Sequence, residues 1–165
     1  MQDRNCFRVI VVSDMIYEGR REDISGELAV SLLKGKGICV SDKTIVKNSY
    51  RDVLRAIKES NERVVILLGG TGPSPRDITV DVVEELSWRC LPGFGEIFRQ
   101  LSFQKIGTYT VLTRTSLCIL YDGKIVIALP GSPDAVSLGV DLLSQFIEHL
   151  IEEVDRYEKP HREQR

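Results

Sequence analysis

Val64-Val65-Ile66-Leu67-Leu68-Gly69-Gly70-Thr71-Gly72 is the stretch that decides how this chain folds. Five consecutive apolar, branched residues make a run of strand length, and an unbroken apolar run marks a strand covered on both faces. The glycines that follow are a turn signal, leading into Pro73-Ser74-Pro75-Arg76-Asp77-Ile78-Thr79. Val82, Val83 and Leu86 then recur at helical spacing, with Thr79 placed as N-cap and Asp81 suited to the positive end of the helix dipole. A buried strand, a turn and a helix are the opening of a parallel crossover unit.

Toward the amino terminus the same alternation repeats. Phe7 to Val12 reads as a buried strand ending at Ser13-Asp14, followed by the polar loop Tyr17-Glu18-Gly19-Arg20-Arg21-Glu22. Ser25 reads as a helix N-cap, Leu28, Ala29, Leu32 and Leu33 give the apolar face, and Gly35 and Gly37 close the helix. Cys39 to Val46 is a strand with a charged centre, and Val53, Leu54 and Ile57 mark another amphipathic helix.

Toward the carboxyl terminus, Pro92-Gly93 breaks the chain before a helix carrying Ile97, Phe98 and Leu101. Thr108 to Thr113 reads as a strand, and Leu117–Tyr121 and Lys124–Leu129 flank the hairpin signal Asp122-Gly123. Pro130-Gly131-Ser132 then opens one long helix with Val136, Val140, Leu143, Ile147, Leu150 and Val154 inward. Ala135, Leu138, Leu142 and Phe146 widen its stripe, either as a subunit contact or because neighbouring elements overlap it. The alternation predicts a three-layer α/β domain with a mostly parallel sheet and an antiparallel hairpin. It is one domain over residues 1–157, with a charged, frayed tail from Glu158 to Arg165.

Composition narrows the function classes. With 165 residues, 42% hydrophobic and 28% charged, the chain is an ordinary globular protein. A net charge of −2 argues against a dedicated nucleic-acid binder. Val9 to Val12 is too short for a secretory core or a membrane span, so the expected location is cytoplasmic, with no membrane partner. Cys6, Cys39, Cys90 and Cys118 form no CxxC pair and read as reduced, buried thiols rather than zinc ligands. His149 and His161 have no metal-ligand spacing; His149 reads as a helix-face residue.

Ligands of open α/β sheets bind beyond the carboxyl ends of the strands. Three unusual segments fall there: Ser13-Asp14, the run Gly69 to Thr79, and Leu129-Pro130-Gly131-Ser132-Pro133. Gly69, Gly70 and Gly72 let backbone amides approach an anion closely, although a strand-to-helix turn rich in glycine needs no ligand. No Gly-Lys-Ser/Thr follows, so this is not a P-loop. Arg76 is a phosphate contact by type, and Asp77, with Thr79 already assigned to the cap, is left to hold a magnesium ion or align a reacting group. Ser132 serves equally as N-cap or phosphate contact. Asp14, Asp23 and Ser25 surround the first loop, and Arg114 stands as an anion contact or a surface residue.

Together these motifs resemble the MoaB/MogA family of molybdenum-cofactor biosynthesis, whose fold is also that of the G domain of gephyrin-type proteins. The resemblance runs from Phe7 to His149 and is carried by Gly69-Gly70-Thr71-Gly72 with Arg76-Asp77-Ile78-Thr79, by Pro92-Gly93-Phe94-Gly95-Glu96 with Phe98-Arg99, and by Leu129-Pro130-Gly131-Ser132-Pro133 with Ala135-Val136. Ser13-Asp14 and Asp23-Ile24-Ser25-Gly26 match the family's first loop. It implies a three-layer α/β/α sandwich with a mostly parallel mixed sheet, assembled as a trimer or hexamer, with other enzymes of the pathway as partners. It further implies Mg²⁺-dependent adenylylation of molybdopterin by ATP, with molybdopterin a substrate rather than a fixed cofactor. Asp77 would then be the catalytic, magnesium-linked carboxylate, Gly69, Gly70, Thr71 and Gly72 would bind substrate, and Pro130, Gly131 and Ser132 would line the nucleotide side. Two departures stand out. Asn48 occupies the place of a family Asp, and Thr113-Arg114-Thr115-Ser116 keeps the arginine but loses the small residues of the family's Ser-Arg-Ala. An amide supplies no negative charge to a cation, so the alternative is a catalytically weak molybdopterin-binding carrier or assembly subunit.

Overall fold

The computed structural model describes residues 6–157; the charged tail and His161 lie outside them. Six strands form one sheet: β1 (Phe7–Val12), β2 (Val40–Val46), β3 (Val64–Leu68), β4 (Ser87–Cys90), β5 (Ser116–Leu120) and β6 (Ile125–Leu129), in the order β2-β1-β3-β6-β5-β4. The pairs β2-β1, β1-β3 and β3-β6 are parallel, while β6-β5 and β5-β4 are antiparallel. The mixed, mostly parallel sheet is thus as the sequence predicts, and β1 has the expected bounds.

Side chains alternate across the sheet and build two cores. A short helix, α1 (Asp14–Tyr17), follows β1. Val9, Val11, Ile66, Leu68, Ile127 and Leu129 point to one face, where α2 (Ile24–Gly35), α5 (Pro92–Ile106) and α6 (Pro133–Ser144) cover them. Ile10, Val12, Val65, Leu67, Val126 and Ala128 point to the other, under α3 (Tyr50–Glu59) and α4 (Thr79–Leu86). β3 is buried at every residue because both layers cover it. β2 keeps a polar centre because it is an edge, paired only with β1. Among the described residues no helix is long and apolar enough to cross a membrane.

Several expectations are corrected. Thr108 to Thr113 is no strand: Gly107, at φ 60°, ends α5 and starts a 3-10 turn over Gly107–Leu112, of which only Thr110 is buried. The β-branched composition there loses to a reversal that leaves no strand partner. β4 was not foreseen; it is a four-residue strip on the outside of β5. The final helix is two helices, α6 and α7 (Ile147–Val154), because the chain leaves helical geometry at Phe146 (φ −139°), whose ring packs edge-on to Phe94 at 6.2 Å. The wide stripe of α6 is largely covered inside the molecule by α2 and α5, which favours overlap over a subunit contact.

The cysteines are also corrected. Cys6 is bonded to Cys39 and Cys90 to Cys118, so the described chain has no free thiol. Phe7 faces Val40 in the β1-β2 register, which sets the preceding Cys6 and Cys39 side by side; Cys90 faces Cys118 directly. Each bond staples an edge strand to its inner neighbour, at the positions where unpaired strand edges are exposed.

Candidate active site at the carboxyl edge of the sheet

The parallel strands β1, β2, β3 and β6 all end on one edge, and the antiparallel β5 begins there. The three expected corners meet at this edge. Gly69 N–H donates to the Leu129 carbonyl at 2.9 Å, so the turn after β3 stays zipped to the end of β6. Gly69 has φ 103°, and a Cβ there would lie 2.5 Å from the Val12 carbonyl oxygen. Only glycine lets the ends of β1 and β3 come this close. Ser25 Oγ donates to the Gly131 carbonyl at 2.6 Å, tying the start of α2 to the third corner.

Between these corners lies a cleft of about 300 Å³. Ser13, Ser25, Gly69, Gly131 and Ser132 form much of its polar lining, and Ile16, Ile24 and Leu68 give it apolar walls. Arg21 and Glu22 at its rim were not singled out by sequence; the charged loop before α2 was the available signal. Ser13 and Ser132 also serve as N-caps, accepting from Ile16 N–H at 3.3 Å and Ala135 N–H at 3.4 Å. The N-cap of α2 is Asp23 rather than Ser25: it accepts from Gly26 N–H at 2.8 Å and pairs with Lys43 of β2 at 2.5 Å. Partial burial pulls the Lys43 pKa down, but hydrogen bonds to Asp23 and Glu27 outweigh it, so the ammonium is held charged. Asp23 therefore orients the cleft wall from behind.

A polar network adjoins the cleft: Ser13 and Gly69 line the cleft, while their neighbours Asp14 and Gly70 face the network instead. Asp14 accepts from Asn48 N–H at 3.0 Å and pairs with Arg76 at 3.0 Å. Gly70, at φ 66°, leaves no room for a Cβ, which would sit 2.3 Å from Thr79 Oγ1 and 3.1 Å from Asn48 Oδ1. Both of those buried oxygens lack a hydrogen-bond partner. Thr79 is the first residue of α4, not its cap; the cap position is Ile78, with no side-chain bond. The Asp77 carboxylate lies against Gly72 and accepts from Ser74 N–H at 3.1 Å, outside the lining of the cleft. Gly72 is tight because a Cβ would meet Asp77 Oδ2 at 2.6 Å.

Arg114 meets an anion of the protein's own. It sits just before β5, whose antiparallel direction brings its start to this edge, and it forms a two-pronged pair with Asp81 at 2.9 and 3.0 Å. The hydrogen bond from Arg114 holds the Asp81 carboxyl below its ordinary range, against a smaller upward push from burial.

Residues 8–149 match a family described as a probable molybdopterin binding domain. The chain belongs to this molybdopterin-binding, MoaB/MogA-type family. It is 38% identical over 151 residues to a molybdopterin adenylyltransferase of Pyrococcus furiosus, covering 88% of each chain. Identity to molybdenum cofactor biosynthesis protein B of Halalkalibacterium halodurans is 41% over 123 residues, 72% of each chain. Among solved structures, the tungsten cofactor synthesizing protein MoaB of Pyrococcus furiosus superposes with TM-score 0.84 at 35% identity, over 90% of this chain and 95% of that one. A molybdopterin biosynthesis protein of Mycobacterium abscessus gives TM-score 0.84 at 28% identity, over 94% and 99%.

In this MoaB/MogA-type chain the sequence-read residues divide in two. Ser13, Ser25, Gly69, Gly131 and Ser132 share the cleft; Pro130, next to Gly131 in the chain, is not part of its lining. Asp14, Asn48, Gly70, Thr71, Gly72, Arg76, Asp77 and Arg114 form the neighbouring network and its loop, linked by the contacts above and by Arg114 N–H donating to Thr71 carbonyl at 3.0 Å. Among the described residues no three His, Cys, Asp or Glu side chains cluster as a metal cage. One carboxylate at a time suits magnesium that keeps its waters and substrate phosphates as ligands. A magnesium ion arriving with a nucleotide would fit here with Asp77 as its protein ligand, since the second carboxylate oxygen of Asp77 is not used in the Ser74 bond.

Proposed function

We propose that this chain works in molybdenum-cofactor biosynthesis as a molybdopterin adenylyltransferase. An oxygen of the molybdopterin phosphate attacks the α-phosphorus of ATP, the bond to the bridging oxygen breaks, and pyrophosphate leaves with the electron pair. The observation that carries this reading is the convergence of three strand ends into one cleft, beside a polar network that contains Asp77. The adenylyltransferase named among its relatives supports it.

Transfer between phosphates demands positioning and charge neutralisation more than covalent help. Ser13, Ser25 and Ser132 offer hydroxyls to one substrate, and the N-terminus of α6 behind Ser132 favours its negative charge. Gly70, Thr71 and Gly72 carry the other along the loop. When bound, magnesium supplies positive charge to the triphosphate; Asp77 would hold it. We further propose assembly as a homo-oligomer, trimer or hexamer. Phe103, Ile106, Tyr109, Val111 and Leu112 are exposed apolar residues within ten positions, more than an isolated surface requires.

Incubation with molybdopterin, ATP and Mg²⁺ is expected to release pyrophosphate and form adenylylated pterin. Asp77→Ala is expected to lower turnover by about 10²-fold or more while leaving the oligomer intact. Wild-type protein that binds pterin without releasing pyrophosphate would overturn the activity; unchanged turnover in the variant would remove Asp77 from it.

A further inference from the structure

We infer that Arg114 is the positioning residue of the substrate loop, acting on Asp77 through the backbone rather than touching substrate. The inference rests on the adenylyltransferase reading for its kinetic arm only. The loop from Thr71 to Asp77 holds two prolines, Pro73 and Pro75, which have no N–H and interrupt any run of backbone hydrogen bonds. Its carbonyls therefore need donors from elsewhere. Arg114 provides them at both ends of the loop. Its own N–H donates to the Thr71 carbonyl at 3.0 Å, Nε donates to the Gly72 carbonyl at 2.9 Å, and Nη2 donates to the Asp77 carbonyl. The remaining fork closes on Asp81 in the first turn of α4, at 2.9 and 3.0 Å.

Four hydrogen bonds from the guanidinium go to protein acceptors, leaving one of its five N–H groups without one. A planar fork can span two carbonyls and a carboxylate at once; an ammonium cannot reproduce that geometry. The charge also sits where the loop enters α4, so it fixes the loop against the helix and not merely against itself. Asp77 stands at that junction, and its carboxylate direction follows from where its peptide is held.

The test uses the full chain with Arg114→Lys, Arg114→Ala and Asp81→Asn. Hydrogen exchange at the amides of Asp77 and Thr79, which donate to Ser74 and Gly70 carbonyls, reports on the loop without any substrate. Protection there is expected to fall in Arg114→Ala, by less in Arg114→Lys and least in Asp81→Asn, with β3 and β6 amides unaffected. In adenylylation, kcat is expected to drop about 10²-fold in Arg114→Ala, the cost of a small misplacement, with KM for ATP and pterin nearly unchanged. A rise in KM at constant kcat would overturn the inference, since it marks a direct substrate contact. Unchanged exchange at Asp77 and Thr79 would overturn it as well. Should the wild type lack adenylyl transfer, the exchange measurement alone decides, so failure of the activity and failure of the clamp are separate results. Should Arg114→Ala not fold, Asp81→Asn carries the same two readouts.

Discussion

The cleft and the polar network beside it are built from neighbouring residues yet solve opposite problems. In the cleft, close backbone approach sets the shape: Gly69 is wedged between Val12 and Leu129, and the serine hydroxyls are held locally, Ser13 and Ser132 as helix caps and Ser25 on the Gly131 carbonyl, each with capacity for one more hydrogen bond. In the network, polar groups are matched in advance: Asp14 with Arg76, Asp81 with Arg114, and the Asp77 carboxylate with the Ser74 amide. The buried Asn48 Oδ1 and Thr79 Oγ1 have no hydrogen-bond partner, on either side of Gly70. Shape fixed by backbone resists change, whereas shape fixed by ion pairs can be tuned by one proton or one charge. That difference predicts how each region responds to substitution.

The largest effect is expected from Gly69→Ala. A methyl group at φ 103° would strain the backbone and press on a carbonyl oxygen that cannot rotate away. Left-handed strain and overpacking together amount to about 3 kcal/mol, or roughly a 10 °C fall in Tm for a chain of this size. Gly70→Ala meets side-chain oxygens instead, and a rotation of Thr79 or Asn48 relieves part of the contact. Thermal unfolding of the two variants side by side checks this. A larger loss in Gly70→Ala would break the contrast between a backbone-made and a side-chain-made region.

Asn48→Asp probes the unsatisfied part of the network. The new carboxylate would place an oxygen where Asn48 Oδ1 has no donor, with Asp14 bonded to the same residue's amide. Without a cation this uncompensated charge is expected to cost about 2 kcal/mol. Magnesium with ATP should return that loss, so the variant's Tm should rise more on adding Mg-ATP than that of the wild type, and its turnover should increase. An equal response of both proteins would show that position 48 does not face the ion.

The sequence reveals the cleft better than the network beside it, for a physical reason. Glycine, proline and capping residues act within a few positions of themselves, so Gly69, Gly131 and Ser132 can be recognised from local pattern. The same holds for β3, whose apolar run states its burial on both faces. Arg114 is different: its acceptors are 33 to 43 residues away, and nothing between Thr113 and Ser116 indicates that an antiparallel strand start will carry it to the loop. The disulfides have the same character. Four dispersed cysteines give no pairing until the register sets Cys90 opposite Cys118 and Phe7 opposite Val40. The 3-10 turn at Gly107–Leu112 was hidden by β-branched residues, whose strand preference depends on a partner that is not there.

The smallest effect, and the one that most directly sharpens the contrast, is the acid response of the Asp81–Arg114 pair. Its hydrogen bond from Arg114 lowers the Asp81 pKa in the folded chain, so folding favours the deprotonated carboxylate. The contribution is complete above the ordinary carboxylate value near 4 and is lost as pH falls through the lower folded value. Because Asp81 is 56% exposed, screening by water limits it to about 0.5 kcal/mol. Urea midpoints between pH 5 and pH 2.5 should therefore fall slightly more steeply for wild type than for Asp81→Asn, in which that titration is absent. Exchange at Asp77 and Thr79 should quicken over the same interval, while the Gly69 amide, which donates to Leu129 within the sheet, should not follow. Parallel acid responses at Gly69 and Thr79 would mean that the two regions loosen as one unit, and the ion pair would then have no separate hold on the loop.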